Sequence, residues 1–237
     1  MRLPFVISFV SIAALTACSS GGGGSAGGGE KEPIFGENLP AQFAPMSKLF
    51  NNPLESDDIA PETALTGRAQ MTGNVYVPLS NPGTNIIIGD MEANFDFTNN
   101  SLTSSATNFN EYEFLGDLDA NGDIIVGSES AELLYEFAGT LEGDGYILRG
   151  LSVSGNTVYF LTMDGTLTGT RAFGALGERG FTATVDTRFE GLFIQPGRRL
   201  ETLGVITSGE VVFDLDNSVN DIVEDLDGSA TVFILSE

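Results

Sequence analysis

Histidine and tryptophan are missing from this 237-residue chain, cysteine occurs once, and only 10 basic side chains stand against 33 acidic ones. Each shortage removes a class of function. Without histidine there is no imidazole general base, no Ser-His-Asp or Cys-His arrangement and no histidine metal site. A single cysteine allows no disulfide within the chain. The formal charge of −23 repels nucleic acid and anionic headgroups, and it equally serves to keep a surface solvated. What remains is a chain with 17 phenylalanines and 30 glycines, whose order along the sequence carries the rest of the reading.

The N-terminus has one charge, Arg2, followed by an apolar run over residues 3–15 that only Pro4, Ser8 and Ser11 interrupt. That run is too short to span a bilayer, and residues 1–17 have the shape of a secretory signal. It ends in Leu15-Thr16-Ala17-Cys18, which resembles the lipobox of bacterial lipoproteins. The resemblance implies that Cys18 is acylated and becomes the first residue of the mature protein, with its acyl chains as the membrane partner. Each buried methylene contributes about 0.8 kcal/mol, so two or three chains hold a protein on a membrane almost permanently. Ser19, where retention signals have aspartate, implies by the same resemblance a lipid anchor in the outer membrane, its periplasmic or surface face undetermined. The alternative is an ordinary cleaved signal that happens to contain a cysteine. Loss of residues 1–17 removes only Arg2, leaving 9 − 33 = −24.

Residues 18–62 are expected to form a disordered, lipidated tether. Positions 19–29 are nearly all glycine and serine, a composition that cannot bury enough apolar surface to fold. Pro33, Pro40, Pro45, Pro53 and Pro61 rule out one continuous helix beyond them. A flexible coil of this length reaches roughly 35–40 Å root-mean-square. The apolar residues here, among them Phe35, Leu39, Phe43 and Phe50, leave open a second possibility, a short plug or helical turn against the domain around residues 46–50.

From residue 63 to 237 the texture changes to short alternating runs. Met91, Ala93, Phe95 and Phe97 alternate with polar residues, and the same spacing of two recurs in Leu133, Tyr135 and Phe137 and in Val211, Phe213 and Leu215, with Leu134 and Val212 as apolar exceptions between them. A period of two puts each apolar set on one face of a strand. Turn signals separate the runs, including Asn99-Asn100, Asn121-Gly122, Gly143-Asp144-Gly145, Ser154-Gly155-Asn156 and Asp227-Gly228. About eight to ten such strands with no helical stretch between them indicate an all-β antiparallel meander, closed or nearly closed. Glycines inside the runs Leu65 to Gly73 and Gly165 to Thr170 favour the tight coiling of a barrel over a sandwich. The expected fold is therefore one up-and-down antiparallel barrel of about eight strands behind the tether.

The segment from Ala64 to Val77, with Thr66-Gly67-Arg68-Ala69, resembles the opening strand of the barrel domains of transferrin-binding protein B-like surface lipoproteins. Ala93 to Phe97 followed by Asn99-Asn100-Ser101-Leu102-Thr103 resembles the family's next strand and hairpin. Residues 165–169 through Phe173-Gly174 resemble its closing glycine-phenylalanine-glycine pattern, with Ala172 where the fuller pattern is more aromatic. The resemblance covers most of residues 63–215. It implies an eight-stranded barrel that binds a host or nutrient protein, displayed on the outer membrane. The transferrin-binding loops have no matching motif here, so fold and placement carry over and the ligand does not.

One constellation has metal chemistry in it. Asp117, Asp119, Asn121 and Asp123, with Gly122 and Ile124, follow the first half of a calcium loop, which needs clustered oxygens on a tight turn. Position twelve is Ser128 where a bidentate glutamate is required, and Glu129 stands one place late. The same residues also make a polar β-turn, and both readings stand. The acidic stretch through Asp214, Asp216, Asp221, Glu224, Asp225 and Asp227 offers loose calcium binding or a solvated loop before the last strand. No other cofactor is implied.

Three classes of function compete. A surface binding module would place its site on loops at one barrel end, with residues 79–85, 173–180 and 195–199 as candidates, the last carrying Arg198 and Arg199 in an otherwise acidic chain. A carrier of a small apolar molecule would use the barrel interior, which in eight strands is just wide enough for side chains or one small ligand. A structural envelope protein needs neither. An enzyme is not expected, since no nucleophile motif or histidine is present, although a carboxylate pair can always be found among so many acids.

Overall fold

The computed structural model describes residues 39–45, 58–78, 85–115, 130–150, 156–195, 199–216, 222–225 and 232–236. Nine strands account for most of them: β1 (Arg68–Pro78), β2 (Asn85–Asp96), β3 (Ser101–Leu115), β4 (Ser130–Leu148), β5 (Val158–Ala172), β6 (Glu178–Ile194), β7 (Glu201–Leu215), β8 (Ile222–Asp225) and β9 (Val232–Ser236). Each strand pairs antiparallel with the next from β1 to β7, and β9 pairs antiparallel with both β7 and β1. The chain is thus an all-β, up-and-down barrel.

Eight positions make up the ring because β8 and β9 share one. Both lie on the same edge of β7, β9 along Glu201–Val205 and β8 along Glu210–Phe213. They are two pieces of one interrupted strand. Part of the acidic stretch expected to be a solvated loop, Ile222 to Asp225, is therefore hydrogen-bonded sheet. The seam is short: β9 meets β1 only from Thr72 to Tyr76, and the first four residues of β1 have no partner on that side among the described residues. The cylinder is joined at one level and split along the remainder.

The alternation in the sequence explains the core. Met91, Ala93, Phe95 and Phe97 are all buried, as are Tyr159, Leu161, Met163 and Leu167 on β5, and they meet inside the barrel with Val185, Phe189 and Phe193 of β6. A fully buried side chain of this size contributes roughly 1.5–3 kcal/mol relative to exposure. Leu133 departs from expectation. It does not share a face with Tyr135 and Phe137, because the ladder with β3 slips between Glu111↔Tyr135 and Tyr112↔Leu133. One extra residue in β4 turns Leu133 to the outer wall, where it is 47% exposed.

The end at which β1 begins, here the entry end, is sealed by the chain's own residues. The expected first strand starts late: residues 62–64 form a 3-10 turn, and Leu65 and Ala60 are buried in the main core instead of lying in a strand. Ala60 N–H donates to the Phe193 carbonyl at 2.9 Å and Gln195 N–H to the Asp58 carbonyl at 2.7 Å, so residues 58–60 line the edge of β6 beyond the start of β5. Arg149 clamps this cap, donating to the Leu65 carbonyl at 2.9 Å, the Phe97 carbonyl at 2.7 Å and Asn100 Oδ1 at 2.9 Å. Beneath it Phe95, Phe97, Tyr159 and Phe193 pack with ring centroids 5.1–6.1 Å apart. The Asn99-Asn100 turn is present as expected, with Asn100 left-handed at φ 54 and the Asp96 carboxylate accepting from the Thr98 and Asn99 amides at 3.0 Å each.

A second packed segment lies on the outside. Residues 41–43 make a 3-10 turn, and Phe43 is fully buried against Tyr76, Ile88, Tyr112 and Leu203. Residues 39–45 and 58–62, placed in the tether by the sequence reading, pack on the barrel through Phe43 and Ala60, while 46–50, where a plug or helical turn was the alternative, fall outside the described residues.

Candidate functional site

Strand directions decide which loops can form one site. β1 and β5 run away from the entry end, and β2 and β6 run back toward it. The connections after Pro78 and after Ala172 therefore lie at the far end, whereas the one from Ile194 to Glu201 lies at the entry end. The strand ends flanking the three candidate loops do not converge: Pro78 and Asn85 share an end with Ala172 and Glu178, and Ile194 and Glu201 are at the opposite one, while residues 79–84 and 196–198 lie outside the described residues. Arg199 is exposed there and Arg198 lies outside the described residues. An up-and-down connectivity sends alternate turns to opposite ends, so loops separated by an odd number of strands cannot meet.

The far end contains a polar centre that the sequence reading passed over. Arg171, at the end of β5, and Glu111, near the end of β3, point inward although β4 lies between their strands. Arg171 Nε stands 2.8 Å from Glu111 Oε2, with the two side chains only 4% and 1% exposed. Glu111 Oε1 accepts from Asn85 Nδ2 at 2.6 Å. The Arg171 guanidinium sits over Phe173 and Phe213, at 5.3 and 5.6 Å from their centroids. Phe137, Phe173, Phe181 and Phe213 surround the pair edge to face, with centroids 5.2–5.9 Å apart. Period two could have exposed it, since Arg171 continues the inward series Leu161, Met163, Leu167.

Below this centre the barrel holds a cavity of about 40 Å³, lined by Val75, Ile87, Phe109, Phe137, Phe181, Phe213 and further apolar residues. Its one polar lining group is Thr187, whose hydroxyl donates to the Met163 carbonyl at 3.1 Å. An apolar space without free polar partners stays dry, and it is well under the roughly 150 Å³ that admits benzene in an engineered core.

The outer wall of β1–β3 holds the other convergent set of groups. Gln42 Nε2 donates to Asp90 Oδ1 at 2.9 Å and to the Asn108 carbonyl at 3.1 Å. Its Oε1 accepts from Asn110 Nδ2 at 3.0 Å and from the Tyr112 hydroxyl at 2.8 Å, and its backbone carbonyl accepts from Tyr76 at 2.9 Å. Burial, seconded by the Asp90 and Glu136 carboxylates and opposed by the bond with Asn110, holds the Tyr112 phenol above its ordinary range. That keeps it a donor.

Cys18 and the calcium candidates Asp117, Asp119, Asn121 and Asp123 lie outside the described residues; in the sequence the latter fall between β3 and β4. Among the described residues no three acidic or thiol side chains gather as a metal would require. Comparison of the chain with known protein families, with curated proteins and with solved structures finds no match.

Proposed function

We propose that this chain is a lipid-anchored outer-membrane lipoprotein of the transferrin-binding protein B-like type, and that its barrel is a non-enzymatic binding module for a protein or nutrient ligand. The observation that carries the reading is the asymmetry of the two ends. The entry end is filled by Leu65, Ala60 and the Arg149 clamp, all from the chain itself. The far end brings the ends of β1, β3, β5 and β7 around a buried Arg171–Glu111 pair framed by Phe173 and Phe213. Loops on a rigid frame are where binding surfaces are built, and a desolvated arginine beside aromatic rings is the type of anchor that dominates them. The small cavity weighs against the alternative, a carrier of apolar molecules, because the interior would have to open to admit one.

Two comparisons test this. Membrane fractionation of the Cys18→Ser chain should find it released or unprocessed; unchanged membrane association removes the anchor. The mature chain, immobilised, should capture a partner from envelope or extracellular extracts through loops 173–180, so that Leu176→Asp, at an exposed position, abolishes capture at unchanged melting temperature. Capture indifferent to that substitution removes the far end as the site, and a small molecule in the mass spectrum of the eluate moves the case to the carrier.

A further inference from the structure

The geometry points to a recognition site on the outer wall of β1–β3 for a glutamine-phenylalanine segment, filled in this chain by residues 39–45 as an exchangeable ligand. Gln42 is read completely: both amide hydrogens and both carbonyl lone pairs are used, each on a barrel group. A glutamate there would turn a carboxylate oxygen toward Asp90, and an asparagine would fall a methylene short. The neighbouring Phe43 is buried in an apolar pocket of Tyr76, Ile88, Tyr112 and Leu203.

The receiving groups are held by the barrel and not by their occupant. Asn74 Nδ2 donates to Asp90 Oδ1 at 2.9 Å, and Asn108 Nδ2 donates to Asp90 Oδ2 at 2.7 Å. The β2–β3 ladder slips between Ile88 and Asp90, and Asn108 adopts a left-handed φ of 53. That bulge leaves the Asn108 carbonyl facing outward as an acceptor. Asp90 and Asn108 are therefore positioned without the occupant.

The occupant is attached differently from the rest of the chain. Residues 39–45 add no strand to the sheet; Gln42 ties them to the barrel through its side chain and its backbone carbonyl. The cap at 58–60 is held by its own backbone bonds to the end of β6, so release of residues 39–45 breaks none of them. Held so, it competes with any free copy at an effective concentration of order millimolar.

The test uses the full chain with Cys18→Ser, so that it does not depend on the anchor. A fluorescent peptide of residues 37–47 is titrated by anisotropy against this chain and against the same chain carrying Gln42→Glu and Phe43→Ala. The doubly substituted chain should bind the peptide at least tenfold more tightly, and adding Asp90→Ala should remove that gain. Amide exchange at residues 109–112 should quicken in the doubly substituted chain and slow again with peptide. A folded barrel that binds the peptide no better after the substitutions overturns the site. A failed anchor would show in the Cys18 fractionation and leave this titration unchanged.

Discussion

Glu111 and Arg171 place one charge of each sign inside a barrel lined mostly by apolar side chains, and their worth depends on keeping both. Moving either ion out of water costs several kcal/mol, which the mutual attraction offsets only with good geometry and further hydrogen bonds. Here the further partners are Asn85 on the carboxylate and two phenylalanine faces on the guanidinium. Glu111→Gln should therefore destabilise the barrel by about 3–5 kcal/mol, since it strands a buried cation. Glu111→Leu with Arg171→Met should recover most of that, and the comparison of the two in urea titrations checks it. Equal losses in the single and double variants would mean that the pair contributes shape and not charge. If the double variant is stable yet loses partner capture, the pair belongs to the binding surface.

At the scale of strands, interior glycines face rings from the neighbouring strand. Tyr159 on β5 lies across the ladder from Gly191 on β6, and a Cβ at residue 191 would run into its phenol ring; Phe109 occupies the same relation to Gly89. The Tyr159 hydroxyl is 2.7 Å from that of Thr202, which donates to the Leu192 carbonyl at 2.8 Å. The ring has nowhere else to go, and burial pushes its phenol far above the ordinary range. Gly191→Ala should cost about 1–3 kcal/mol by overpacking, read as a melting point lowered by roughly 2–4 °C per kcal/mol for a chain of this size. An unchanged melting point would show that the ring can shift. The strand glycines expected from the sequence to aid coiling were Gly67, Gly73, Gly165 and Gly169; the role of Gly89 and Gly191, making room for aromatic side chains, depends on register. Strand number and inward faces were legible for the same reason that Phe95 and Phe97 alternate with Asp96: the signal is local. The slip that turns Leu133 outward, the β8–β9 interruption and the meeting of Gln42 with Asn110, 68 residues apart, depend on pairings that no short window contains. Arg171 was legible by period and missed, while Gln42 carried no local signal.

For the whole molecule the governing quantity is its charge. Ten basic groups against 33 acidic ones give 10 − 33 = −23, and a compact fold concentrates that repulsion relative to an extended chain. Partly buried Glu190 adds to it, because desolvation raises its pKa above the ordinary 4.5. A carboxyl whose folded pKa is raised supports the fold below its unfolded value and loses that support as pH rises through the folded one. Asp96 runs the other way. The Asn99 amide, then the Asn99 side chain and Arg68, hold its pKa below 3.8, so its support is present above that value and fades as pH falls through the folded one. The melting temperature should thus rise as pH falls from 7 toward 5, and decline below about 4, as Asp96 takes up its proton. Sodium chloride at pH 7 should act in the same direction as acid, since a Debye length of about 10 Å at 0.1 M already screens surface repulsion, and its effect should shrink by pH 5. Thermal scans across pH 3–8 at low and high salt measure both. A melting point that is flat or falls between pH 7 and 5, or that salt lowers at pH 7, would show that local carboxylate pairing outweighs the net charge.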